Sequence, residues 1–186
     1  MLVASALIYL TKRMIQKVLF DKRECRFLRS FIERDDVIKT TKDARGTFNT
    51  TVVCVPTEEV PDWFNEKIKQ LGIKDLIFEN KLAASRAVII NRYGTKGYFA
   101  RHRDDYALED HWKNRYKTMI VQLSEPNSYS GGDLLVEDKA INRTIGNVAM
   151  FNSSAYHELT TIEEGERYSL ILWLDRDDVI EKRSIL

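Results

Sequence analysis

Apolar and polar positions follow two different rhythms along this chain. In "DKRECRFLRSFIER", residues 21–34, Cys25, Leu28 and Ile32 recur at helical spacing, and Asp21 with Glu24 has the form of a capping box. In "VPDWFNEKIKQLG", residues 60–72, Phe64, Ile68 and Leu71 share a face, Pro61 suits the first turn and Gly72 the stop. Both stretches predict amphipathic helices whose apolar stripes read as core. From about residue 86 the texture becomes a series of short β-rich runs: "AVIINRY", "GYFARHR", "YKTMIVQLS", "DLLVE", "INRTI", "NVAMFN", "AYHELT" and "RYSLILWL". Turn chemistry separates most of them, at Gly94 and Gly97, Pro126 to Gly132, Gly146 and Glu164-Gly165. Many short strands argue a sandwich or barrel, and eight is the strand count of a jelly roll. The pattern predicts a mainly β fold with flanking helices, the helices covering one side of a C-terminal jelly roll.

Length and composition narrow this picture. The chain has 186 residues, enough for one domain with a real core. The expected layout is a helical and strand part over 1–85, a jelly-roll core over 86–175 and a tail over 176–186. A formal net charge of +1 gives no basic field for nucleic acid and no acidic field for a basic partner. Cys25 and Cys54 show no paired-ligand spacing, so a disulfide scaffold is not expected and a reducing, cytoplasmic location fits. The apolar run Leu2 to Leu10 is nine residues, too short to span a bilayer, and Lys12 and Arg13 follow it instead of preceding it. It reads as a first strand or an extension, and no membrane segment is expected.

The chemistry concentrates in "YFARHRDD", residues 98–105. His102 and Asp104 are two residues apart, and on a strand alternate side chains share a face. Asp105 would then point away. Taken alone, a His-x-Asp pair is weak evidence, because charge runs are mostly solvated turns. His157 in "AYHEL" supplies a second imidazole on another predicted strand, whereas His111 sits in a polar loop and carries no role. Two histidines and one carboxylate are the set that holds non-haem Fe(II) with open positions for a chelating cosubstrate and O2. Arg167 opens "RYSLILWL", where Arg167, Ser169, Ile171 and Trp173 share one face and Tyr168, Leu170 and Leu172 the other. Both faces are largely apolar, so this strand should be buried on both sides. An unpaired buried guanidinium costs on the order of 3–5 kcal/mol, so an anion should meet it. A protein carboxylate would serve. A bound carboxylate ligand would serve equally, held bidentately by the planar fork with Ser169 as a further donor.

The order His102-x-Asp104, His157, Arg167 resembles that of the Fe(II)- and 2-oxoglutarate-dependent oxygenases, and within them the prolyl 4-hydroxylase-like group with its PKHD-type members. "NRYGTKGYFARHRDD", "RYKTMIVQLSEPNSYSGGDLLVED" and "IGNVAMFNSSAYHELTTIEEGERYSLILWL" each resemble a motif of that family, and "VLFDKRECRFLRSFI" resembles its first strand and helix. The likeness covers roughly residues 17 to 174 and is densest after residue 88. It implies a double-stranded β-helix with Fe(II) on His102, Asp104 and His157 at the open mouth. Arg167 would hold the distal carboxylate of 2-oxoglutarate. Tyr93 would line the cosubstrate pocket, with Asn91 and Thr118 as further candidates. Many relatives read Tyr-Leu-Asn where this chain has Gln122-Leu123-Ser124, so Gln122 would substitute with its amide donors. The implied activity is hydroxylation of a prolyl residue in a peptide or protein, with O2 as cosubstrate, release of succinate and CO2, and ascorbate as an accessory reductant.

Three alternatives stay open on the sequence. One is a 2-oxoglutarate oxygenase of a free amino acid or other small molecule. A second is a non-catalytic jelly-roll binding module, against which the intact set of His102, Asp104, His157 and Arg167 speaks. The third is a nucleic-acid demethylase of the same superfamily. That group carries a further Arg six residues after the cosubstrate Arg, where this chain has Trp173, and the near-neutral charge also disfavours a phosphate-tracking surface. The segment "DYALEDHWKNRY", residues 105–116, is too long for a tight hairpin and leaves directly after Asp104, so it is a candidate flap carrying Tyr106, Trp112 and Tyr116.

Overall fold

The strands that alternate in sequence are covered on both sides, by two different kinds of neighbour. The computed structural model describes residues 14–34, 40–42, 47–56, 59–73, 88–105 and 115–175. Among them, eleven strands form one curled antiparallel sheet. Its order is β1 (Ile15–Val18), β10 (Asn147–Asn152), β6 (Arg115–Gln122), β13 (Arg167–Asp175), β4 (Val88–Tyr93), β3 (Phe48–Val55), β5 (Tyr98–His102), β11 (His157–Leu159), β8 (Leu134–Val136) and β9 (Lys139–Ala140). Strand β2 (Thr40–Lys42) pairs with β3, and β7 (Tyr129–Gly131) with β12 (Ile162–Gly165) forms a separate ribbon. This is the mainly β, jelly-roll architecture that the run of short strands predicts.

Strand β13 shows how two cores arise from one period. Tyr168, Leu170, Leu172 and Leu174 project into an outer core beneath the helices, while Ile171 packs into an inner core enclosed by the curl. Its neighbours divide the same way. Met119, Val121 and Leu123 face outward from the β6 region and Ile120 inward; Val148 and Met150 face outward from β10 and Ala149 and Phe151 inward. The outer core is closed by α1 (Lys22–Ser30) and α2 (Asp62–Lys69) through Cys25, Leu28, Phe64 and Ile68. Helix α1 starts at the expected capping box: Asp21 accepts from the backbone N–H of Arg23 and Glu24, and Glu24 accepts in return from the Asp21 N–H. Pro61 lies one position ahead of the expected first turn, as the N-cap of α2. Among the described residues no helix is long and apolar enough to cross a membrane.

Three segments differ from the sequence reading. "INRTI" is a loop, because Asn142 Oδ1 accepts from both the N–H and the hydroxyl of Thr144, a local bond that competes with strand pairing. Only Ile141 of this segment reaches the inner core. The turn expected over Pro126–Gly132 is a short 3-10 turn followed by strand β7. Its partner β12 is mostly exposed and polar, so it left no alternating signature. Strand β3, within the N-terminal part, was also unpredicted although "TTVVCV" is rich in β-branched residues. It runs between β4 and β5 and ties the N-terminal part into the sheet. Glycine is required where β7 leads on to β8. Gly131 and Gly132 have φ of 64° and 63°, and a Cβ on Gly132 would lie 2.1 Å from Ile162 Cδ1. The expected strand at Leu2–Leu10, the loop residues 106–114 with His111 and Trp112, and the tail 176–186 lie outside the described residues.

Candidate metal centre and its adjoining cavity

Residues 102 and 157, far apart in sequence, become direct partners across antiparallel strands β5 and β11. The chain then bends out of β5, and the Asp104 N–H donates to the Ser153 carbonyl, which turns the carboxylate back toward both histidines. His102 Nε2 lies 3.5 Å from Asp104 Oδ1, and His157 Nε2 lies 3.4 Å from Asp104 Oδ2. One ligand atom from each residue can be chosen so that all three lie within 4.8 Å of one another. An ion with bonds of about 2 Å needs its ligand atoms within about 4 Å of one another, so closing this set around one ion takes only a small adjustment of the side chains. Asp105 is turned elsewhere: Arg103 donates to its carboxylate at 2.9 and 2.8 Å.

The surrounding bonds fix which atoms are offered. His102 Nδ1 lies 2.7 Å from the Ala100 carbonyl and His157 Nδ1 lies 3.0 Å from the Ala155 carbonyl. A carbonyl only accepts, so each Nδ1 carries the proton and each Nε2 presents a lone pair. Phe99 stacks on the His102 ring and Phe151 meets the His157 ring edge-on, which limits rotation of both. The Thr118 hydroxyl donates to Asp104 Oδ2 at 2.6 Å and lies 3.1 Å from the Ser153 hydroxyl. Burial alone would raise the Asp104 carboxyl. Whenever the two imidazoles carry a second proton on Nε2, the hydrogen bond from His102, the charges of His157 and His102, and the Thr118 hydroxyl outweigh it and hold the group down at about 2; a cation would take the place of those protons. Burial pushes His157 toward its neutral form, against the pull of Asp104. A carboxylate and two imidazole lone pairs therefore converge on one spot, and acceptors without a donor between them call for a cation. The donor set fits Fe(II).

On the inner face of β6, Thr118, Ile120 and Gln122 lead away from this cluster, a span of about 13 Å along the strand. At the far end lies a cavity lined by Gln122, Tyr129, Leu134, Arg143, Ala149 and Arg167 among others. Arg167 is 3% exposed, and no hydrogen bond or ion pair to it is found among the described residues. Its guanidinium lies 5.8 Å from the Tyr93 ring centre. The protein carboxylate that would explain Arg167 structurally is therefore not seen among the described residues.

The other sequence candidates fall in three places. Asn91, Tyr93 and Ser169 are buried beside Arg167 on paired strands, with Asn91 Nδ2 donating to the Tyr93 hydroxyl at 3.2 Å; they are not among the residues lining the cavity. Burial pushes the Tyr93 phenol up to about 12. Thr118 faces Asp104. Gln122 lines the cavity, yet its amide nitrogen is engaged by the Ser124 carbonyl and the Tyr129 hydroxyl. Sequence reasoning missed Tyr129, Ser153 and Arg115. Arg115 lies with its guanidinium carbon 3.5 Å over the Trp173 ring, beside the cluster, and burial pushes it down to about 10 against the fields of Asp104 and Asp175. The signal for Tyr129 was its place just ahead of the Gly-Gly turn. Arg115 and Ser153 had none beyond ordinary strand ends.

Comparison with known proteins agrees with this geometry. Residues 88–175 match the family model of the 2OG-Fe(II) oxygenase superfamily, so the resemblance read from the motifs stands. Within it, the chain is similar to PKHD-type hydroxylases. It is 26% identical over 148 residues to one from Teredinibacter turnerae, covering 71% of this chain and 66% of the relative. It is 31% identical over 93 residues to one from Shewanella baltica, covering 46% of this chain and 41% of the relative. This chain thus spans less than two thirds of the length of either relative. The fold is similar to that of a prolyl-4-hydroxylase from Pseudomonas putida, with a TM-score of 0.67, 20% identity and coverage of 95% of this chain and 99% of that one. A prolyl hydroxylase from Trichoplax adhaerens, solved with a hypoxia inducible factor peptide fragment, superposes with a TM-score of 0.66 and 17% identity over 95% of this chain and 88% of that one.

Proposed function

We propose that the protein is an Fe(II)- and 2-oxoglutarate-dependent dioxygenase that hydroxylates a prolyl residue of a peptide or protein. The observation that carries this reading is the pairing of a convergent His-Asp-His cluster with a cavity ending in a buried arginine that meets no protein acid among the described residues. Fe(II) bound there would supply the coupling of O2 to decarboxylation of the 2-oxo acid, giving succinate, CO2 and a hydroxylated substrate. His102, Asp104 and His157 would hold the metal. Thr118 donates to one carboxylate oxygen of Asp104 and so orients that ligand. Arg167 binds the distal carboxylate and sets the orientation of the 2-oxo acid. The apolar walls Ile120, Leu134 and Ala149 exclude water along its length.

The prolyl substrate is supported by the prolyl hydroxylases that share the fold and by the wall beside the metal cluster. Trp173 is partly buried, pairs with Thr118 across β13 and β6, and has an indole N–H with no acceptor among the described residues. Arg115 covers one face of this ring, so a compact cyclic side chain would pack against the apolar surface that remains. The test is incubation of the protein with Fe(II), 2-oxoglutarate, ascorbate and a panel of proline-containing peptides. O2-dependent succinate together with one added oxygen on a peptide supports the proposal. Succinate without peptide oxidation leaves the oxygenase but removes the prolyl assignment, and no succinate at all returns the chain to a binding module.

A further inference from the structure

We propose that Tyr129, held in place by Gln122, is the second donor to the distal carboxylate of the 2-oxo acid, alongside Arg167. This rests on the reading of the cavity as a 2-oxoglutarate site.

The argument starts with the Gln122 amide. Its nitrogen lies 3.3 Å from the Ser124 carbonyl and 2.8 Å from the Tyr129 hydroxyl. The Ser124 carbonyl only accepts, so the nitrogen end of the amide, not the oxygen, must face this side. Both amide protons are then committed, one to Ser124 and one to Tyr129. The Gln122 amide therefore has no proton left for a ligand, although its sequence position pointed to that role. The Tyr129 oxygen receives a proton from Gln122, so its own O–H must point elsewhere. Among the described residues no acceptor meets it. Tyr129 is 7% exposed and lines the cavity that Arg167 also lines.

The ring is well fixed. Arg143 stacks over it at 4.2 Å and donates to the Tyr129 backbone carbonyl at 3.0 Å, while also pairing with Asp133 at 3.4 Å. Its terminal nitrogens hold Tyr129 and the chain around it, while its buried Nε meets no acceptor among the described residues. The ring edge also lies close to Gly132, where a Cβ would come within 3.3 Å of Tyr129 Cε2. A guanidinium and a hydroxyl proton, both without protein acceptors, thus face one buried cavity. Two unmet donors of this kind suit one carboxylate, which has an oxygen for each.

The experiment is anaerobic calorimetric titration with Mn(II) as a non-oxidising ion, comparing 2-oxoglutarate with oxalate. Oxalate chelates the metal and does not reach the distal end. Tyr129→Phe should weaken 2-oxoglutarate roughly tenfold, the scale of a hydrogen bond to a charged group, and leave oxalate and Mn(II) affinity unchanged. Gln122→Leu should weaken 2-oxoglutarate by a smaller factor, and the double variant should be no worse than Tyr129→Phe alone. Unchanged 2-oxoglutarate affinity in Tyr129→Phe, or an equal loss for oxalate, overturns the assignment of Tyr129. Additive losses in the double variant overturn the positioning role of Gln122. If the wild-type protein takes up Mn(II) and oxalate but no 2-oxoglutarate, the cavity reading itself fails and this proposal with it.

Discussion

The outer and inner faces of the same four strands differ in chemistry: the outer one is apolar, and the inner one mixes apolar with polar and charged residues. Outward from β4, β6, β10 and β13 project Val88, Ile90, Met119, Val121, Val148, Met150, Leu170 and Leu172, all buried against one another and the helices. Inward from β4, β6 and β13 project Asn91, Tyr93, Thr118, Gln122, Arg167 and Ser169, also buried, with Asp104 and His157 beside them and with Ile120, Ala149, Phe151 and Ile171 as their apolar neighbours. The outer face gains from every apolar atom removed from water. The inner face buries charge and hydrogen-bonding groups, which costs stability unless each finds a partner. The polar face is tolerable because the apolar one behind it holds the strands in register. Stability and site chemistry are thereby separated by a single peptide unit along each strand.

That separation can be broken most completely at the metal cluster. His102→Ala, Asp104→Ala and His157→Ala should each lose Fe(II) binding in anaerobic titration and all activity with it, while Asp105→Ala, whose carboxylate serves Arg103, should keep both. Tight Fe(II) binding by any of the first three would show that the cluster is not the metal centre.

A cut on the opposite face should do the reverse. Leu172→Ala, at a position with no exposure, should cost about 2–5 kcal/mol in a urea unfolding curve and leave Fe(II) affinity unchanged at temperatures where the protein stays folded. A loss of metal affinity of similar size would mean that the two faces are not independent.

Arg167 tests the border between them. Arg167→Ala should weaken 2-oxoglutarate binding by about 1.5–3 kcal/mol, leave Fe(II) binding in place, and leave the thermal midpoint unchanged or raised, because a buried cation is removed. A falling midpoint with unchanged cosubstrate affinity would mark Arg167 as structural.

The smallest effect is one of pH. Burial raises the Tyr93 phenol from its ordinary value near 10 to about 12. The folded state keeps this proton after the unfolded chain has lost it. Its contribution to stability is therefore full below about pH 10 and is lost as the pH rises through about 12. Tyr93→Phe should flatten the decline of the urea midpoint across that window, and an identical decline in both proteins would remove Tyr93 as its source.

Local physics made much of this legible in the sequence. The capping box of Asp21 and Glu24 is satisfied within four residues, so its composition alone predicts the start of α1. The alternation of β13 names both of its faces, and the order of His102, Asp104, His157 and Arg167 carries the family likeness. Strand β12 was not legible because three of its four residues are exposed and its pairing comes from β7, more than thirty residues earlier. The segment 141–145 was misread because two side-chain bonds from Asn142 outweigh the β propensity of its isoleucines.

What the sequence alone determined is which residues share a face: Arg167 with Ser169, Leu170 with Leu172, Cys25 with Leu28. That follows from the fixed geometry of strand and helix, which repeats over two residues or three to four. What only the tertiary structure decided is what each face meets. Pairing of β5 with β11 brings His157 against His102, the bend anchored on Ser153 turns Asp104 toward both, and the β7–β12 ribbon brings Tyr129 to the cavity of Arg167. Those contacts join residues tens of positions apart, and no local period encodes them; they exist because one register of the curled sheet buries the outer apolar face completely, and the polar residues on its reverse are then carried into one another's reach.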